Sequence, residues 1–213
     1  MCRLLLVRSK NAFKIGPHLK NFAAISKNSK EYQGHGWGCS YLQNDEWQHY
    51  KNIQPVWEDD LDSFPETTLL LGHARSAFKD EGIVIENNMP FYDDRHVFIF
   101  NGELHGVRIQ SEGRIGAEKI FNTIRRFDRG DMLSALKRGV MVINKRSRYV
   151  RAMNIILSDK KKVYVATQYN DAPDYFTMYF KKSENSLIVC SEPYPTETDW
   201  KKIPNHTIEV FEL

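Results

Sequence analysis

The sequence is short of cysteine, of long apolar runs and of charge of one sign, and each shortage excludes a class of protein. Three cysteines, Cys2, Cys39 and Cys190, stand in 213 residues. None form a CxxC pair, and an odd number argues against a disulfide framework. A reducing compartment fits better. The apolar stretch 4–7 is too short for a secretory signal and runs at once into Arg8-Ser9-Lys10. No run approaches the length of a membrane span. A cytoplasmic protein with no membrane partner is expected. The formal net charge is only +3. The basic runs Lys160-Lys161-Lys162 and Lys145-Arg146 read as solvated turns, because a nucleic-acid surface shows a clustered stripe with an identifiable motif. No nucleic-acid partner is expected. The seven histidines show no HxxxH or Cys/His ligand spacing, and no glycine-rich phosphate loop with Lys-Ser/Thr is present. No metal and no cofactor is expected.

What the sequence does hold is ordinary in bulk. Its hydrophobic content of 41% and charged content of 27% are those of a globular protein. The length suits one fairly large domain or two small ones. With no repeat, low-complexity tract or linker, a single domain over 1–213 is the better reading. Residues 2–7 read as a short buried strand and 17–27 as a helix. Three glycines then surround one tryptophan in Gly34-His35-Gly36-Trp37-Gly38-Cys39, a backbone that approaches something closely before continuing as a strand. Asn44-Asp45 is a turn and 47–52 its hairpin partner. Residues 60–64 read as a short acidic helix. Residues 67–71 form an apolar strand that delivers Gly72-His73-Ala74-Arg75, and 87–91 are loop. Residues 95–100 form another strand, ending at Asn101-Gly102, a dipeptide that also suits a tight hairpin turn. Helices are expected over 116–127 and 131–143, the second capped by Asp131. Five short strands follow, at 152–157, 163–168, 176–180, 187–190 and 207–211. Strands, two helices and strands again suggest two stacked sheets with helices outside.

Cys2 is the residue that raises a chemical question. If Met1 is removed, Cys2 carries a thiol and a free α-amine together. An α-amine titrates at roughly 7.7–8.0, so near neutrality it can serve as a base, and a thiol needs one to become a nucleophile. The bland alternative is a small apolar residue that starts a strand.

Four motifs occur in order: Met-Cys-Arg-Leu-Leu at the start, Gly-Trp-Gly at 36–38, Gly-His-Ala-Arg-Ser-Ala at 72–77 and Phe-Asn-Gly-Glu-Leu at 100–104. Together with Cys190-Ser191-Glu192-Pro193, Trp200 and Ile203-Pro204, the set resembles the class-II glutamine amidotransferases of the small stand-alone type. These are a branch of the N-terminal-nucleophile hydrolases. The resemblance covers nearly the whole chain. It implies an α+β, four-layer αββα sandwich with the N-terminal strand in the middle. It also implies amide hydrolysis by an N-terminal cysteine. Cys2 would attack the carbonyl, its α-amine would relay the proton, and Asn101 with the Gly102 N–H would hold the oxyanion. Arg75 would bind the substrate carboxylate, to which its fork is matched. His73, Trp37 and Gly38 would line or support the pocket, a core tryptophan being nearly as good a reading of Trp37 and a structural ring a better one of His73.

One departure bears on the substrate. Members of that family commonly carry Asp-Ser-Glu where this chain has Gly116-Ala117-Glu118, so the aspartate that holds the glutamine ammonium is missing. Glu118, or Glu112 upstream, is the candidate replacement. The amide is then glutamine, a γ-glutamyl compound or another small amide. No synthase domain is recognisable, so ammonia would be released outright or passed to a separate ammonia-accepting synthase subunit. A non-catalytic binding or regulatory domain with the same fold is the alternative, and retention of Met1 would favour it.

Overall fold

A computed structural model describes residues 1–212 of the chain. In chain order the elements are β1 (Arg3–Lys14), α1 (Ile15–Lys27), β2 (Trp37–Gln43), β3 (Glu46–Asn52), β4 (Glu66–Ala74), β5 (Phe91–Tyr92), β6 (Val97–His105), α2 (Gly116–Arg125), α3 (Met132–Lys145), β7 (Tyr149–Ser158), β8 (Val163–Thr167), α4 (Pro173–Phe176), β9 (Tyr179–Lys182), β10 (Ser186–Cys190), β11 (Lys201–Lys202) and β12 (Thr207–Phe211). The strands form two antiparallel sheets. One has seven strands in the order β11-β9-β10-β1-β4-β2-β3, and the other five in the order β12-β8-β7-β6-β5.

Alternation along β1 explains why the N-terminal strand is central. Its apolar run is continuous, as expected of a strand buried on both faces. Leu5 and Val7 join Leu19 and Phe22 of α1 in one apolar cluster. Leu4 and Leu6 turn the other way and pack with residues of the second sheet, including Ile99 and Ile156. Both faces of β1 are therefore covered, one by α1 and one by the five-stranded sheet. Each fully buried leucine contributes about 1.5–3 kcal/mol of transfer free energy relative to an exposed one. On the far side, Phe98 of β6 stacks on Phe121 of α2, ring centroids 5.0 Å apart. α2 packs against α3, which also touches β8 and β12. Helix, sheet, sheet and helix lie in four layers, the αββα sandwich expected.

Several local expectations need correction. β1 continues to Lys14, and α1 begins at Ile15. Pro17 thus sits in the first turn, where its missing N–H would be unpaired anyway. Residues 60–64 are a turn, closed by the Ser63 hydroxyl donating to the Asp60 carbonyl at 2.7 Å, and the short helical turn lies earlier, at Val56–Glu58. Asn101-Gly102 is not a hairpin turn. It lies within β6, paired with Asn154 and Met153 of β7. The strand expected over 176–180 is displaced to Tyr179–Lys182, because Pro173 starts a short helix there. The Asp131 cap is present, with Oδ1 accepting from the Ser134 N–H at 3.1 Å.

Candidate active site

The same alternation sorts the candidate residues by face. Cys2 shares the parity of Leu4 and Leu6, which face the second sheet. In β4, Leu69 and Leu71 face inward, so His73 and Arg75 do as well, while Leu70 and Ala74 face α1. In β2, Leu42 lies in the inter-sheet core and Trp37 and Cys39 in the helix-side cluster, which turns Gly38 inward. In β6, Phe98 faces α2, so Asn101 faces the other sheet. β1 pairs with β4 so that Arg3 lies opposite Ala74 and Leu4 opposite His73. That register carries Cys2 to the level of Arg75, and the Cys2 Sγ–H points at the Ser76 carbonyl at 3.7 Å. Cys2, His73, Arg75 and Gly38 therefore share one end of the inter-sheet space, and the Phe100 carbonyl beside the His73 ring brings the following Asn101 and Gly102 toward it.

Cys2 is partly covered. Burial pushes its thiol up, while the nearby N-terminal ammonium, the hydrogen bond to Ser76 and the Arg75 guanidinium pull it back. The other two thiols are fully buried, Cys190 being pushed up to about 12 and Cys39 higher still, which leaves them unreactive.

Met1 caps the site. Its ammonium pairs with Glu31. Its side chain packs on the cluster of Ala152, Tyr175 and Phe176. Its carbonyl accepts from Gln33 Nε2 and from the Tyr175 hydroxyl, each at 2.5 Å.

Arg75 is 6% exposed. Its Nη2 donates to the Gly82 carbonyl at 2.9 Å and its Nη1 to Asn88 Oδ1 at 3.4 Å. Among the described residues no carboxylate pairs with it. Desolvation lowers its basicity, offset by the Cys2 sulfur. A buried guanidinium with spare donors and no carboxylate partner among the described residues is a ready carboxylate receptor. Asn101 is fully buried, and neither its amide oxygen nor its amide nitrogen has a partner among the described residues. Leaving such a group unpaired costs about 1–3 kcal/mol. Gly102 is required because a Cβ there would collide with the Ala152 carbonyl oxygen. At Gly38 a Cβ would lie 2.6 Å from the Met89 carbonyl oxygen and 2.8 Å from that of Tyr50.

His73 is fully buried, and both ring nitrogens lack a hydrogen bond of good geometry. Burial, then the Arg75 charge, push its pKa down to about 3, with the nearby Phe100 carbonyl opposing them. The imidazole is neutral at any physiological pH.

Two expectations for the site are not met. Trp37 does not line it. The indole is buried on the helix side, against Tyr50 and Phe64, with Nε1–H donating to Asp59 at 2.8 Å. It is one residue from Gly38, and adjacent strand residues point to opposite faces. Glu118 is held by Arg114, through Nη2 at 2.7 Å and Nε at 3.0 Å. It lines a cleft of about 550 Å³ that includes none of Cys2, Arg75 or Asn101. A larger cleft, about 970 Å³, also lies away from Cys2, between residues 93–96, 110–112 and α2. Conversely, the residues that hold Met1, namely Glu31, Gln33 and Tyr175, carried no motif in the sequence.

No protein-family model matches the sequence, and no curated protein matches it in sequence. Solved structures do match in shape. A glutamine aminotransferase class-II domain protein from Silicibacter pomeroyi superposes with a TM-score of 0.66 at 16% identity, covering 99% of each chain. A predicted glutamine amidotransferase from Pseudomonas aeruginosa gives 0.64 at 15% identity, covering 99% of this chain and 97% of its own. Glutamine phosphoribosylpyrophosphate amidotransferase from B. subtilis, in complex with ADP and GMP, gives 0.62 at 14% identity, with 89% of this chain against 42% of that longer one. At these identities the likeness speaks for the fold alone: the chain folds as these class-II glutamine amidotransferase structures do.

Proposed function

We infer that the chain hydrolyses a carboxamide through Cys2, once Met1 has been removed. The observation that carries this reading is Asn101: a fully buried amide with no partner among the described residues, on the face of β6 turned toward the sheet that holds Cys2 and Arg75. A primary amide is a poor electrophile, so it needs a nucleophile, a proton carrier and an oxyanion donor. The α-amine of Cys2 takes the thiol proton. The sulfur then attacks the amide carbon, and the negative charge that develops on oxygen meets the Asn101 N–H and the Gly102 backbone N–H. Collapse of the tetrahedral intermediate breaks the C–N bond, with the ammonium returning its proton to the departing ammonia. Water, deprotonated by the same amine, releases the acid from the thioester and regenerates Cys2. Arg75 receives the carboxylate at the other end of the substrate.

This arrangement suits glutamine or a γ-glutamyl amide. Glu118 lies in a different cleft and is engaged by Arg114, so the substrate ammonium meets no carboxylate assigned from the sequence. Ammonia is released to solvent or handed to a separate synthase subunit.

The test is ammonia release by the mature chain from a panel of glutamine and γ-glutamyl amides, with Cys2→Ala beside it. Turnover by the wild type and its loss in Cys2→Ala support the reading. No turnover on any amide, or full activity in the variant, would sink it.

A further inference from the structure

The groups around the Met1 carbonyl are more elaborate than a retained methionine requires. Gln33, fully buried between α1 and β2, has two N–H bonds and four acceptors in reach. They are the Met1 carbonyl at 2.5 Å, the Glu31 carbonyl at 2.8 Å, the Tyr175 hydroxyl at 3.1 Å and the Ser29 hydroxyl at 3.4 Å. Tyr175, from α4, donates to the same Met1 carbonyl and lies 3.4 Å from Ser29 Oγ. Arg3 locks the assembly: its guanidinium sits 4.3 Å above the Tyr175 ring, and its Nε donates to Ser29 Oγ at 3.1 Å. Side chains from β1, the loop after α1 and α4 thus converge on one peptide group.

Removing Met1 acts unequally on these groups. Gln33 keeps the Glu31 carbonyl and the Tyr175 oxygen, enough for both its N–H bonds. Tyr175 loses its short partner and can turn its proton to Ser29, which leaves one oxygen lone pair open beside the one that Gln33 occupies. The Cys2 nitrogen lies about 2.3 Å from where the Met1 oxygen was, by the geometry of a planar peptide. Freed as an amine, it brings N–H donors into the place the oxygen leaves.

Resting on the reading that Cys2 becomes the amino terminus, we propose that this polar cradle seats the mature α-amine. Tyr175 is the positioning residue, its oxygen accepting an amine N–H. Gln33 and Ser29 hold Tyr175, and the amine lone pair is left to face the Cys2 thiol. The charged groups around the position are Glu31, the cations Arg3 and Arg75, and Glu192, which pairs with Arg3 at 2.8 Å.

Two variants of the mature protein test this with opposite signs. Tyr175→Phe keeps the ring under Arg3 but removes the oxygen. It should lower kcat/KM on the order of 10- to 100-fold by loosening the amine. Because an acceptor favours the ammonium over the amine, its loss should move the acid limb of the kcat/KM profile to lower pH, by about half a unit. Gln33→Glu should move that limb to higher pH, a shift that a purely structural defect does not produce. The same two displacements should appear in the Cys2 α-amine titration, read from the 13Cα shift in cysteine-labelled protein. That readout needs no turnover, so it decides the cradle even if amide hydrolysis itself fails. An α-amine pKa unmoved in both variants, or moved in the same direction by both, overturns the proposal.

Discussion

Asn101 and His73 are two buried polar side chains without a well-aligned hydrogen bond among the described residues, and they make different predictions. If Asn101 donates only to an oxyanion, Asn101→Ala should lower kcat by roughly 10²–10³ with little change in KM. A rise in KM at unchanged kcat would instead make it a ground-state contact. His73 predicts a pH dependence of stability. Its folded pKa of about 3 is below the ordinary 6.5, so the unfolded chain binds a proton that the native chain refuses. Its contribution is fully present above pH 6.5 and is lost progressively as pH falls toward 3. The Tm of the wild type should fall across that window, and His73→Phe should flatten the fall. An equal slope in both proteins would mean that other groups carry it. At this scale the sequence is informative where polar residues adjoin apolar runs, as at Cys2, Arg75 and Asn101, which the proposed reading uses. It is silent on Gln33 and Tyr175, which lie in a loop and a one-turn helix 142 residues apart, and only the folded chain joins them.

At the scale of elements, period two decides which candidates can share a pocket. Trp37 and Gly38 are neighbours in β2, so they cannot face the same side. Trp37 belongs to the packing under α1, tied to Asp59, which also accepts from Tyr50 and Asn52 at 2.8 Å each. Trp37→Phe should therefore lower the unfolding free energy by about 1–3 kcal/mol and leave KM unchanged. A raised KM at unchanged stability would return Trp37 to the pocket wall. The strands were legible because their apolar runs are bounded by turn residues. The Asn-Gly dipeptide was ambiguous for a physical reason. It is favoured in hairpin turns, yet here a glycine is demanded by the close approach of β7, where the Ala152 carbonyl fills the space of a side chain. Local sequence does not distinguish those two demands. Pro173 likewise moved a strand by converting its expected start into a helical turn.

For the whole molecule the consequence is one of timing. The Met1 side chain is only 10% exposed, its ammonium is paired and its carbonyl is held from two sides. On the proposed reading, an aminopeptidase must reach the terminus before these contacts form. Protein folded with Met1 in place should resist a methionine aminopeptidase under native conditions and be trimmed after unfolding, as intact mass would record. Equal trimming of native and unfolded protein would mean that the cap opens freely. The four layers place the start of the chain at the centre of one sheet and against the other, so on the proposed reading a single excision would expose nucleophile and base together. The most direct measurement is covalent trapping. The mature protein is treated with an electrophilic ketone analogue of glutamine, digested, and the label located by mass spectrometry. One adduct is expected, on the sulfur of Cys2, in a peptide that begins at Cys2. Label on Cys39 or Cys190 instead, or an unlabelled Cys2 on a chain that has lost Met1, would contradict the assignment of Cys2 as the nucleophile.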